Sequence, residues 1–315
     1  VTAATTRPIS QSALLTELDP IVAQNLDRHL AVAKEWFPHE YVPWSDGRTF
    51  DGLLGGEAWS PEDNPISEVA RTALVVNLLT EDNLPSYHHE IASMFGRDGA
   101  WGTWVHRWTA EEGRHGTAIR DYLTVTRAVD PVALERARMV HMSAGYTNDH
   151  SGEVLHSLAY VSFQELATRI SHRNTGRVTG DPLCEQLLSR VAADENLHMI
   201  FYRNLLAAAF ELAPSQSMRA VADVVADFQM PGNGIDGFAR KSVAIALAGI
   251  YDLRQHRDDV LVPVLRQWDV WNVTGLDAAG EAAREQLAAH LDELDKAASR
   301  FEEKRDARAA RLAAR

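Results

Sequence analysis

The chain has 315 residues, 45% of them hydrophobic, with 31 lysines and arginines against 44 aspartates and glutamates and a formal net charge of −13. That acidity, with no long basic stripe, argues against a nucleic-acid partner. The single cysteine, Cys184, rules out an intrachain disulfide and suits a reducing cytoplasm.

No basic end followed by an apolar run marks the N-terminus as a secretory signal, and the longest apolar stretch, SVAIALAGIY, is about half a membrane span. In chain order, Leu14, Leu15, Leu18, Ile21, Val22 and Leu26 predict a helix over 11–36. The next stretch, WFPHEYVPWSDGRTFDGLLGGEAWSPEDNP, reads as an ordered loop rich in proline, glycine and aromatics. Ser67 and Glu68 open a long apolar helix to about Phe95. Pro85 inside it lacks the N–H that would reach the carbonyl of Glu81, which predicts a kink or bulge there. Further helices are expected from Asp98-Gly99 to about Arg127, over PVALERARMVHMSAG, over about 153–173 up to Asn174-Gly176, and from Asp181-Pro182 to about Leu212. Between the second and third of these lies the loop YTNDHSG. Beyond Pro214, two or three helices interrupted by Pro231-Gly232-Asn233-Gly234 lead to a charged, alanine-rich helix over about 277–310 that reads as solvent-facing. With no strand-period segment the fold class is all-α. Length alone suggests two domains, but the pattern described next ties the core helices, about 66–212, into one domain spanning 1–315.

A glutamate followed on a later helix by Glu-x-x-His occurs twice. Glu81 precedes Glu112 and His115 in RWTAEEGRHG; Glu165 precedes Glu195 and His198 in VAADENLHMI. The internal gaps are 31 and 30 residues, what two antiparallel helices and a short loop require. Residues three apart share a helix face, so each Glu-x-x-His aims a carboxylate and an imidazole at one point. Two such hairpins face to face bring four carboxylates and two imidazoles into a bundle core, a charge that two cations would compensate. This pattern predicts a di-metal site of the kind found in ferritin-like carboxylate bundles. A third Glu-x-x-His, Glu153 and His156, has no matching upstream glutamate, and the nine residues to Glu165 put it on the opposite face. It reads as a chance match.

The stretches TEDNLPSYHHEI, WTAEEGRHG, SFQELATRISHRNT and ADENLHM, with AWSPED upstream, resemble the soluble acyl-carrier-protein desaturases of plant plastids and actinobacteria, over about residues 57–205. The resemblance implies a homodimeric ferritin-like four-helix bundle extended by additional helices. It also implies two irons per chain and insertion of a cis double bond into a carrier-tethered acyl chain, using oxygen and two electrons from ferredoxin. By position, it implies Glu81, Glu112, His115, Glu165, Glu195 and His198 as iron ligands and Thr168 beside the oxygen-binding face. Trp59 and Asp194 match the electron-entry route ending at His115. Plant members carry basic residues where this chain has Asn196 and Leu197. Two other readings share the bundle: a di-iron enzyme that oxygenates its substrate, and an iron-storage protein. An acidic carrier protein meeting a chain at −13 needs a local basic patch, for which Arg169, Arg173 and Arg177 are the candidates.

Overall fold

Helix boundaries follow local chemistry closely in this chain. The structure, a computed structural model, describes residues 8–146, 152–232 and 234–313; most of the loop YTNDHSG, and Asn233, lie outside them. Ser10 caps α1 (Gln11–Val32) by accepting from the Ala13 N–H, and Ser67 does the same for α2 (Glu68–Asp82) through Ala70. α1 stops four residues short of the expected end, with the Ala33 N–H on the carbonyl of His29, so that Trp36 lies beyond the helix.

The proline next to Glu81 does more than kink its helix. The chain breaks at Asn83, and Pro85 sits in the first turn of a separate helix, α3 (Leu84–Phe95), where a missing N–H costs nothing. α4 (Gly99–Val125) and α5 (Pro131–Ala144) lie close to their expected spans. α6 (Val154–Thr179) passes through the predicted stop at Asn174–Gly176 and ends at Gly180, a left-handed C-cap with φ 68°. Gly176 serves packing instead: a Cβ there would stand 3.1 Å from Cα of Glu185 on α7 (Pro182–Leu212). Arg173 and Arg177 therefore belong to the last turns of α6 and not to the loop after it.

α6 and α7 form the most extensive helix pair; α2 packs on α4 and α6, and α4 on α7, which closes a four-helix core with α1 laid against α4 and α7. No strand occurs among the described residues beyond one isolated bridge, Phe50 to Glu57. Beyond α8 (Pro214–Asp227) and α9 (Phe238–Leu247), α12 (Ala278–Ala313) corrects the expectation of a solvent-facing helix. Ala283, Leu287, Leu291 and Ala298 are buried, and this helical stripe packs on α8.

Between them, α10 (Leu253–Gln255) runs into a π-helical stretch (His256–Leu261) and α11 (Val262–Gln267). His256 in the wide turn is buried, with Nδ1 2.8 Å from the Tyr251 hydroxyl. Burial first, and the charge of His290 second, lower its pKa from 6.5 to about 4. Between those values the unfolded chain binds a proton that the folded chain refuses, so stability falls as pH is lowered from 6.5 to about 4. The thermal midpoint is expected to drop across that window. His256→Asn should flatten the drop, and a wild-type-sized step in that variant would assign it elsewhere.

Apolar side chains are divided along the bundle. On α4, Trp101 to Trp108 belong to one apolar layer and Ala118 to Leu123 to another. On α7, Cys184 to Val191 join the second layer and Met199 to Phe210 the first. The residues left between the layers, 111–116 and 194–198, carry the polar groups.

Candidate metal centre

That middle layer holds all six residues predicted to converge. Glu81 comes from the end of α2, Glu112 and His115 from α4, Glu165 from α6, and Glu195 and His198 from α7, none more than 8% exposed. Their side chains form two groups of four, Glu81–Glu112–His115–Glu195 and Glu112–Glu165–Glu195–His198, with one ligand-type atom from each member within 4.8 Å of the others. Glu112 and Glu195 belong to both. Gly116 lets α2 come this close, since a Cβ there would stand 3.2 Å from Oδ1 of Asp82 and 3.5 Å from Cβ of Glu81.

Both imidazoles turn Nδ1 inward. His115 Nδ1 is 3.3 Å from Glu112, 3.5 Å from Glu195 and 3.7 Å from Glu81. His198 Nδ1 is 2.8 Å from Glu112 and 3.8 Å from both Glu165 and Glu195. Both Nδ1 atoms, Nε2 of His115, Oε1 of Glu112 and Oε2 of Glu195 are buried without an aligned hydrogen-bond partner. Buried polar atoms left unpaired and aimed at common points are what a metal site looks like without its ion. Two nitrogens and four carboxylates suit borderline divalent cations such as iron, and two dications would balance the four negative charges.

Electrostatics register the crowding of these acids. Burial, reinforced by the charge of Glu195, pushes Glu165 up to about 8. Burial would lower both histidines, but the surrounding carboxylates outweigh it and raise them well above 6.5.

Several residues around the six escaped sequence reasoning. His172, two turns after Glu165, places Nε2 3.0 Å from Glu81, and its Nδ1 faces Asn77 at 3.3 Å. Trp108 donates its indole N–H to Glu165 at 3.1 Å. The outer nitrogen of each histidine meets a buried acid: His198 Nε2 lies 2.9 Å from Glu111, and His115 Nε2 lies 3.5 Å from Asp194. Asp194 was expected, and a signal for Glu111 was present too, because both copies read Arg-x-x-x-acid-Glu-x-x-His, from Arg107 and from Arg190.

Asp194 sits where expected, but Trp59 does not join it. Its indole donates to the carbonyl of Arg127 at 2.9 Å, at the far end of α4. The indole on Asp194 belongs to Trp36, with Nε1 2.7 Å from Oδ2, beneath the Arg114 guanidinium. The nearby His115 imidazole, the hydrogen bond from Trp36 and the charge of Arg190 overcome the effect of burial and hold Asp194 at about 2. Thr168 faces the centre's edge, and its hydroxyl donates back to the carbonyls of Glu165 at 3.0 Å and Gln164 at 3.2 Å. His156 pairs with Glu153 through Nδ1 and with Asp223 through Nε2 at the surface, away from the centre.

A mostly apolar cavity opens from the carboxylates between α3 and α6, lined among others by Tyr87, Ile91, Met94, Val161 and Tyr202. From Thr168 to Ser157 it follows α6 for about 16 Å at about 1.5 Å per residue. No helix among the described residues is long and apolar enough to cross a membrane.

Comparison with known proteins agrees with this geometry. A family model described as fatty acid desaturase matches residues 10–314. The chain is 50% identical over 296 residues to a Mycobacterium tuberculosis protein provisionally named acyl-(acyl-carrier-protein) desaturase DesA1, covering 92% of this chain and 87% of that one. It is 31% identical over 307 residues to the chloroplastic palmitoyl-(acyl-carrier-protein) 4-desaturase 2 of Ophrys sphegodes, covering 91% of this chain and 81% of that one. The X-ray structure of DesA2 from Mycobacterium tuberculosis, provisionally named an acyl-ACP desaturase, superposes with a TM-score of 0.69 at 32% identity, over 84% of this chain and 97% of that one. With the family model spanning nearly the whole sequence and the bundle shared with a solved relative, the chain belongs to the fatty acid desaturase family of oxidoreductases.

Proposed function

We propose that this protein is a homodimeric, cytoplasmic acyl-(acyl-carrier-protein) desaturase. It would insert a cis double bond into a carrier-tethered acyl chain with oxygen and two electrons from a ferredoxin-type donor. One observation carries the reading: two buried four-residue groups sharing Glu112 and Glu195 open onto an apolar cavity. Relatives named as acyl-(acyl-carrier-protein) desaturases support the substrate class. In this reading Glu81, Glu112, His115, Glu165, Glu195 and His198 hold two irons within a single domain.

Two bound irons would supply the oxidising power that breaks unactivated C–H bonds, which side-chain acids and bases cannot do. The chain's own residues do the rest. Glu112 and Glu195, common to both four-residue groups, would serve both irons, while Glu81 and Glu165 would each serve one. His172 and the Trp108 N–H orient those terminal carboxylates. Cavity walls hold the acyl chain extended past the centre and keep water away. Asp194 joins His115 to Trp36, the proposed point of electron entry in place of Trp59.

The deciding experiment supplies iron-loaded protein with saturated acyl carrier protein, reduced ferredoxin and oxygen, and weighs the product. Loss of two hydrogens is the expected result. Gain of one oxygen would make the protein a hydroxylase. An untouched acyl chain with ferric iron accumulating well beyond two per chain would make it a storage protein.

Two further expectations follow from this reading. Arg173 and Arg177 are exposed on the last turns of α6, Arg169 lies one turn earlier, and no acidic side chain pairs with Arg169 or Arg173 among the described residues. Charge reversal at Arg173 and Arg177 should raise KM for acyl carrier protein and flatten its salt dependence; kinetics unchanged in both respects would remove this patch as the docking site. For Thr168, whose hydroxyl proton is engaged by backbone carbonyls, Thr168→Val should keep oxygen use coupled to product. Uncoupled oxygen consumption in that variant would instead give the hydroxyl a part at the oxygen-binding face.

A further inference from the structure

The metal centre is wrapped in a second, crosswise symmetry. The acid preceding Glu112 in the first copy, Glu111, serves the histidine of the second, with Oε2 2.9 Å from His198 Nε2. The acid preceding Glu195, Asp194, faces His115 more loosely, with Oδ2 3.5 Å from Nε2. Each acid is held by the arginine one turn earlier on its own helix, Arg107 or Arg190. Each is also reached by a ring from the N-terminal segment that stacks on the same histidine. His29 Nε2 lies 3.0 Å from Glu111, and its ring lies 24° from that of His198; Trp36 hydrogen-bonds Asp194, and its ring lies 15° from that of His115. The Arg107 guanidinium on Glu111 argues against a third cation among His29, Glu111 and His198.

A carboxylate only accepts, so both nitrogens facing Glu111 must carry protons. His198, protonated on Nε2, is left with a bare Nδ1 turned towards Glu112, Glu165 and Glu195. We propose that Glu111 and His29 are positioning residues that fix the tautomer and plane of His198, and so govern metal occupancy of the Glu165–His198 half separately from the Glu81–His115 half. The proposal rests on the metal-centre reading above. Replacing Glu111 by glutamine keeps the size but offers an N–H towards Nε2, which favours the tautomer whose Nδ1 proton blocks a metal.

The test is anaerobic titration of apoprotein with ferrous ion, followed by iron-edge anomalous diffraction from crystals loaded below saturation. Wild type should bind two ions per chain. Glu111→Gln should bind one as wild type does and weaken the other by about 10–100-fold, with anomalous density depleted between Glu165 and His198 and retained between Glu81 and His115. Asp194→Asn should show the mirror pattern. His29→Phe keeps a stacking ring and removes one donor from Glu111, and should weaken the same ion about tenfold; it answers the question if Glu111→Gln fails to fold. Undiminished binding of both ions in these variants, or equal loss of both, overturns the proposal. Wild type that binds no ion pair overturns the metal-centre reading itself and the proposal with it.

Discussion

Glu195→Ala is expected to leave the protein unable to hold either iron and without measurable turnover. Glu195 belongs to both four-residue groups, so its removal strips one ligand from each position at once. Loss of an outer hydrogen-bond partner typically costs 10–100-fold in metal affinity, and loss of a shared ligand should exceed roughly 100-fold at both positions. Iron analysis of purified protein checks the first effect and the acyl-product assay the second. Glu81→Ala should be milder, since Glu81 belongs to one group only. Glu153→Ala and His156→Ala, at the surface, should bind iron and turn over as wild type does. Iron loss in these two with retention in Glu195→Ala would show that the wrong Glu-x-x-His had been chosen.

Arg127→Ala should produce a large loss of stability for a substitution outside the apolar core. Its guanidinium is buried at the end of α4, 2.8 Å from both Asp63 and the Ala58 carbonyl, with the Glu57 carbonyl at 3.3 Å and the Phe50 ring beneath it at 4.2 Å. Truncation leaves these carbonyls unsatisfied, at about 1–3 kcal/mol for each buried group, so the total should be on the order of 3 kcal/mol. Denaturant unfolding should register the loss as a lower midpoint at unchanged slope. Arg127 also adopts φ 55°, a left-handed conformation that favours glycine. Arg127→Gly relieves the backbone while losing the same hydrogen bonds, so it should fall between wild type and alanine. A glycine variant as stable as wild type would mean that backbone strain, and not the guanidinium, dominates at this position.

The six central residues were legible because helical spacing and duplication are properties of sequence: a residue and its third neighbour share a face wherever the helix lies. Glu111, His29 and Trp36 act across elements, and which ring reaches which acid depends on how α1 and its following loop lie on α4 and α7. The aromatic loop offers several indoles, and sequence resemblance selected Trp59, which instead anchors the end of α4. Gly176 was read as a stop because glycine often ends helices, whereas here it provides room for α7. The buried stripe of α12 was hidden by small residues, since Ala283 and Ala298 carry little hydrophobic signal among so many charges.

The crosswise pairing of Glu111 with His198 and of Asp194 with His115 bears on how the molecule could be divided. Cut within 147–151, the chain would yield two pieces of nearly equal weight. Each would keep three members of one group of four and lend the fourth to the other, along with the acid that steadies the other's imidazole. Neither piece could assemble a whole site alone, yet the two mixed together, or one such piece meeting its own duplicate head to tail, would contain every part. Each half thus becomes competent only in company, and the linker between them turns an encounter between molecules into a property of one.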